Sequence, residues 1–148
     1  MVIRPATEAD RPEWLKMRQA LWPEESEGEH ANLIGRFFQG GVRDPLQVLL
    51  AIGEDEEVVG FAELSIRSYA EGCETDRVAF LEGWYVVPWR RRRGVGAALI
   101  ERAVDWAQSQ GCLEFASDAE LDNALGAAAH VALGFVETAQ LRCFRKAL

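Results

Sequence analysis

Two carboxylates stand where apolar residues would be expected. Glu82 interrupts the run Phe80-Leu81-Glu82-Gly83-Trp84, and Asp118 closes the run Cys112 to Ser117. A carboxylate inside an apolar strand is costly unless it faces a cleft or a partner. One at the C-terminal end of a strand lies where ligands of open sheets gather, although Asp118 could equally cap the next turn. The third feature is Pro88-Trp89-Arg90-Arg91-Arg92-Arg93-Gly94-Val95-Gly96, between an apolar run and an amphipathic one. Consecutive backbone N–H groups at such a helix start can receive a pyrophosphate, and Gly94 and Gly96 admit its close approach. No Gly-Lys-Ser/Thr follows, so the turn is not a Walker loop, and the three-glycine dinucleotide spacing is absent. A solvated basic turn is the alternative. His30 and His130 fall on predicted helices without clustered ligands and read as structural or solvated; no metal site is expected.

The elements that must position these groups follow from periodicity. Val2 to Arg4 can open a sheet. Thr7-Glu8-Ala9-Asp10 reads as a capping box before a helix bearing Trp14, Met17, Arg18 and Leu21, which Pro23 stops. A second helix carries Leu33, Ile34, Phe37 and Phe38 and ends at Gly40-Gly41. Gln47 to Gly53 and Val58 to Arg67 read as a hairpin across Glu54-Asp55-Glu56-Glu57. Ser68 to Arg77 is a loop, and Val78 to Val87 a strand with a bulge at Gly83. A helix from about Gly94 to Gln110, with Leu99, Ala103 and Trp106 on one side, ends at Gly111. A short strand over Cys112 to Ala116 and a helix from Asp122 to Leu133, closed by Gly134, come next. Two short strands are predicted within Phe135 to Lys146. This order means α/β or α+β, in one domain over residues 1–148.

The 148 residues carry a formal charge of −8, which disfavours nucleic acid and favours cationic partners. No apolar run is long enough for a membrane span, and the start lacks the pattern of a signal peptide. Cys73, Cys112 and Cys143 are odd in number and form no CxxC, which fits a reducing cytoplasm. The acidic stretch Glu24-Glu25-Ser26-Glu27-Gly28-Glu29, with Glu74 and Asp76, reads as solvated surface that could also steer a polycation.

Arg91-Arg92-Arg93-Gly94-Val95-Gly96 resembles the Gln/Arg-x-x-Gly-x-Gly/Ala motif of the GNAT superfamily of acetyl-coenzyme A-dependent N-acyltransferases. The resemblance implies the GNAT fold, a mixed central sheet flanked by helices. Leu21-Trp22-Pro23, Gly60-Phe61-Ala62-Glu63, Ser65-Ile66-Arg67, Gly72-Cys73 and Phe80-Leu81-Glu82-Gly83 resemble the aminoglycoside 6′-N-acetyltransferases within it. So do Ala116-Ser117-Asp118, Asn123, and Ala132-Leu133-Gly134-Phe135 with Glu137-Thr138.

This likeness implies direct transfer of acetyl from acetyl-CoA to a 6′-amine in a ternary complex, without metal. The Val86 N–H would polarise the thioester carbonyl. Trp84, Tyr85, Arg91, Arg92, Arg93, Gly94, Val95, Gly96, Ala97 and Asn123 would hold the cofactor, Trp84 to Val86 through their backbone. Glu82 and Asp118 would lie on adjacent strands and bind substrate ammonium groups, with Asp118 the leading general base. Trp22 and Tyr69 would wall the site, Trp22 being as readable as a core anchor, and Glu137 would add a ligand. Ala139 stands where many relatives have a carboxylate, and Phe144 where they have a tyrosine that protonates the thiolate, which leaves water for that task. Dimerisation through C-terminal strands is common in the family, and a homodimer is expected. A GNAT enzyme for a polyamine or protein lysine, or a non-catalytic CoA-binding module, is the other reading of the same residues.

Overall fold

Backbone pairing brings the two carboxylates together. The computed structural model describes residues 1–148. Its strands are β1 (Val2–Pro5), β2 (Gln47–Ile52), β3 (Val58–Arg67), β4 (Val78–Val86) and β5 (Phe115–Ser117), in sheet order β1-β2-β3-β4-β5. All neighbours are antiparallel except β4 and β5, which run parallel. The helices are α1 (Arg11–Leu21), α2 (Glu27–Gln39), α3 (Val95–Ser109) and α4 (Ala124–Ala132). β2, β3 and the first half of β4 are buried almost throughout, and Leu50, Phe61, Leu64 and Leu99 are inaccessible. Burying each such side chain contributes about 1.5–3 kcal/mol.

The Thr7–Asp10 box forms a single 3-10 turn (Glu8–Asp10), after which α1 begins. Asp10 accepts from the Thr7 N–H at 2.7 Å and the Thr7 hydroxyl at 2.9 Å, and from both Arg4 guanidinium nitrogens at 2.8 and 3.0 Å. Strand β1 is thereby tied to the start of α1. The bulge in β4 forms one residue earlier than its glycine suggests. Glu63 pairs with Gly83 and Leu64 with Leu81, so Glu82 is the extra residue. Gly83 has a separate requirement, since a Cβ there would fall inside the Trp22 ring.

β5 starts later than its sequence suggests. The turn after α3 uses the Cys112 N–H, which donates to Ala107 O at 3.0 Å, and Leu113 is 86% exposed. Pairing therefore begins only at Phe115. The two strands expected within Phe135 to Lys146 do not form: no strand follows α4. A strand needs a partner edge, and residues 136–148 lie exposed without pairing to β5.

Candidate active site

The last paired residues of β4 and β5 are Leu81 and Ser117. Glu82 and Asp118 are the next residue on each strand, so the carboxylates flank the mouth of a fork. Beyond it β4 continues to Val86 paired with β3 alone. The Val87 N–H donates to Val59 O at 2.9 Å, which makes that a hydrogen-bonded antiparallel pair. Bonded and non-bonded pairs alternate, so Trp84 and Val86 direct their backbone N–H and C=O away from β3, into the fork. The Val86 carbonyl is taken by Arg91 Nε at 2.8 Å; its N–H faces the opening.

The basic turn leads from that opening into α3. Gly94 caps the helix at φ +82°, a conformation that strains residues bearing a Cβ. No side chain caps α3, and bonding begins with the Ala98 N–H on Gly94 O at 3.0 Å, which leaves the amides of Val95, Gly96 and Ala97 for a ligand. Arg92 also lies at positive φ, +59°. The four arginines divide by task. Arg90 pairs with Glu57 at 3.2 Å and Arg91 holds Val86, whereas Arg92 and Arg93 are exposed and make no ion pair. Trp84 packs beneath the turn, where a Cβ on Gly96 would come within 3.0 Å of its ring, and its indole N–H is buried without an acceptor. A hollow of about 440 Å³ continues from Ala97 along Ile100 and Val104 towards Leu133. Free amides, free arginines and an orphaned indole N–H fit a pyrophosphate with a polar tail. Asn123 uses its Oδ1 to cap α4, accepting from the Gly126 N–H at 2.9 Å.

On the opposite face of β4, Glu82 is partnered. Its carboxylate accepts from the Ser65 hydroxyl at 2.8 Å and forms a two-nitrogen ion pair with Arg67, which lies 3.5 Å from the Phe80 ring centroid. Arg67 belongs to the site, and its role was not drawn from the sequence. Asp118 is exposed and its carboxylate has no side-chain partner. Trp22 is half-buried, over Gly83 and edge-on to Phe61. Tyr69 is 63% exposed on the loop after β3, and the adjacent Glu71 raises its phenol above the ordinary value. Glu137 is exposed and accepts from Gln140 at 3.0 Å; its neighbour Thr138 donates to Glu71 O at 3.1 Å and covers Gly72. The structure thus gathers Glu82, Asp118, Val86 and the glycine turn around the fork, with Trp22 beside Gly83, and keeps Glu137 by the Tyr69 loop. Phe144 is 92% exposed and belongs to no strand.

Of the two readings of the histidines, structural or solvated, the contacts support the structural one. His30 is fully buried; its Nδ1 accepts from Arg18 Nε at 3.1 Å and its Nε2 lies 3.0 Å from Trp22 O. Arg18 stacks over Trp22 at 4.6 Å and pairs with buried Glu63, which also accepts from Trp14 Nε1 at 2.9 Å. Burial raises the Glu63 carboxyl, and Arg18 opposes that shift. Glu25 of the acidic stretch lies 3.5 Å from His30, so that stretch is not purely solvated surface. His130 bonds to Ser117 and to Gly126 O. The signal for these contacts was slight: polar residues at i and i+3 or i+4 of apolar helix faces.

The acetyltransferase (GNAT) family model matches residues 12–135. The aminoglycoside N(6′)-acetyltransferase type 1 of Klebsiella aerogenes is 53% identical over 147 residues, covering 99% of this chain and 97% of that protein. The crystal structure of the aminoglycoside antibiotic 6′-N-acetyltransferase AAC(6′)-IG from Acinetobacter haemolyticus superposes with a TM-score of 0.91 at 41% identity, covering 100% of this chain and 99% of that one. AAC(6′)-Iy, solved with the bisubstrate analogue CoA-S-monomethyl-acetylneamine, has a TM-score of 0.91 at 33% identity, over 99% and 98% of the two chains.

Proposed function

The chain belongs to the acetyltransferase (GNAT) family, and from that premise we propose that it is an aminoglycoside 6′-N-acetyltransferase. It transfers acetyl from acetyl-CoA to the 6′-amine of the antibiotic. The substrate class is carried by one observation, the 53% identity to an aminoglycoside N(6′)-acetyltransferase across nearly the full length of both chains.

In this reading residues 1–148 act as one catalytic unit. The amides of Val95 to Ala97, with Arg92 and Arg93, hold the pyrophosphate; Trp84 and Tyr85 border the thioester arm and Asn123 its pantetheine end. Acetyl-CoA supplies the activated acyl group. The Val86 N–H receives the growing charge on the carbonyl oxygen. Glu82 and Asp118 bind ammonium groups of the polycation at the fork mouth, with Trp22, Tyr69 and Glu137 around the sugar. Asp118, exposed and unpaired, takes the first proton from the reacting ammonium and passes it to water. A surface of net charge −8 draws in the substrate. The enzyme works as a homodimer in the cytoplasm, where acetyl-CoA is available and thiols such as Cys73, Cys112 and Cys143 stay reduced.

The test is acetylation of kanamycin B and tobramycin by purified protein, with product regiochemistry read by NMR. Asp118→Asn is expected to lower kcat by about 10²-fold or more. Glu82→Gln is expected to raise the aminoglycoside KM by roughly tenfold while leaving the acetyl-CoA KM unchanged. Absence of turnover on every 6′-amino compound rejects the substrate assignment.

A further inference from the structure

Ser117 is the last paired residue of β5, and adjacent strand positions face opposite sides, so Ser117 and Asp118 serve opposite faces of the fork. The Ser117 Oγ lies 2.8 Å from His130 Nε2, and His130 Nδ1 lies 2.6 Å from the backbone carbonyl of Gly126. A carbonyl oxygen only accepts, so Nδ1 carries a hydrogen. In the neutral ring Nε2 is then the lone-pair nitrogen, and it accepts the Ser117 proton. Hydroxyl, imidazole and orienting carbonyl form the order in which a serine is coupled to a base. Around the ring stand Trp84 at 5.4 Å and Phe135 at 5.2 Å, both uncharged, and the carboxylate next in the chain to Ser117 is Asp118. Trp84 in turn underlies Gly96 of the basic turn. A continuous line of contacts therefore runs from the fork to the start of α3 on the cofactor face.

We propose that Ser117 and His130 form a proton relay that carries a proton from the attacking nitrogen to the departing sulfur. The proposal rests on the acetyl-transfer reading above. During transfer a C–N bond forms and a C–S bond breaks. The starting ammonium loses two protons, the sulfur gains one, and one is released. Asp118 disposes of the first. For the second, His130 takes the Ser117 hydroxyl proton as Ser117 takes the proton of the new C–N nitrogen. The imidazolium then returns its proton through Ser117 to the sulfur. Nitrogen and sulfur are bonded to the same carbon, so one hydroxyl serves both. The Nδ1–H bond to Gly126 O is unchanged in either state, which holds the ring in place throughout. No external acid is required, and the place left by Phe144 needs no substitute.

Two measurements test the relay. Imidazole ¹⁵N shifts of the free protein are expected to show His130 as the Nδ1–H tautomer when neutral; the Nε2–H tautomer overturns the proposal. In kinetics, Ser117→Ala and His130→Gln are each expected to lower kcat by about 10²-fold, with coenzyme A affinity and both KM values within about threefold of the parent. Ser117→Thr, which keeps a hydroxyl, should recover most of the lost rate. If Ser117→Ala retains kcat within twofold, the relay is wrong while the parent's turnover upholds the acetyl-transfer reading. If the parent binds coenzyme A but acetylates no amine, that reading fails and the relay with it. Should His130→Gln lose coenzyme A binding through misfolding, Ser117→Ala and the tautomer decide.

Discussion

Asp10 shows how one side chain sets a pH limit on the fold. Arg4, bonded through both nitrogens, and the Thr7 N–H and hydroxyl hold its carboxyl at about 2, against an ordinary value of 3.8. The native state therefore favours ionised Asp10, and the stabilisation is complete above the unfolded value. It is lost as pH falls from about 4 towards 2. The full shift corresponds to about 2 kcal/mol; because Arg4 is 38% exposed, solvent screening reduces this to about 1 kcal/mol. Asp10→Asn should lower urea-unfolding stability by that amount at pH 6, with the gap to the parent closing as the pH approaches 2. A gap independent of pH rejects the assignment. The same scale shows what single residues reveal in sequence. Glu82 could be picked out because a carboxylate is costly in an apolar strand. Its partner Arg67 could not, since that contact depends on the register slip at the bulge. Nor could the Ser117–His130 pair, thirteen residues apart, before β5 and α4 were placed side by side.

Between elements, the buried Arg18–Glu63 pair joins α1 to β3 and holds Trp22 against the sheet. Arg18 is 3% and Glu63 2% exposed, so removing one partner strands a charge out of water. Arg18→Met should cost about 3–5 kcal/mol. Arg18→Met with Glu63→Leu should recover much of that, because no buried charge is then stranded, although the Trp14 and His30 bonds and the stack on Trp22 are lost. Chemical denaturation of both variants checks this, and a double variant no better than the single one contradicts it. The order and bounds of β3, β4 and α3 were legible because the first two are continuous apolar runs bounded by polar turns and α3 has one apolar face. The start of β5 was not: the turn after α3 consumes the Cys112 N–H, and no propensity records that cost.

Across the whole molecule, apolar exposure is concentrated at the C-terminal end. Leu125, Val131, Val136 and Phe144 are 79%, 62%, 82% and 92% exposed, and the outer edge of β5 has no neighbour. Strand-like residues were legible in Phe135 to Lys146; within one chain they leave the outer edge of β5 unpaired. A second copy supplies both an edge and an apolar surface, and a stable dimer of this kind buries roughly 1,600 Å² in all. Sedimentation equilibrium at micromolar concentration should therefore give twice the chain mass of 16.5 kDa. Leu141→Asp with Phe144→Asp places charges in the proposed interface and should yield a monomer with a lower Tm. Because Thr138 covers Gly72 and donates to Glu71 beside Tyr69, the same pair of changes should also raise the aminoglycoside KM more than the acetyl-CoA KM. A parent that sediments at the mass of one chain removes the dimer and leaves the active-site reading intact, since none of the fork residues depends on the tail.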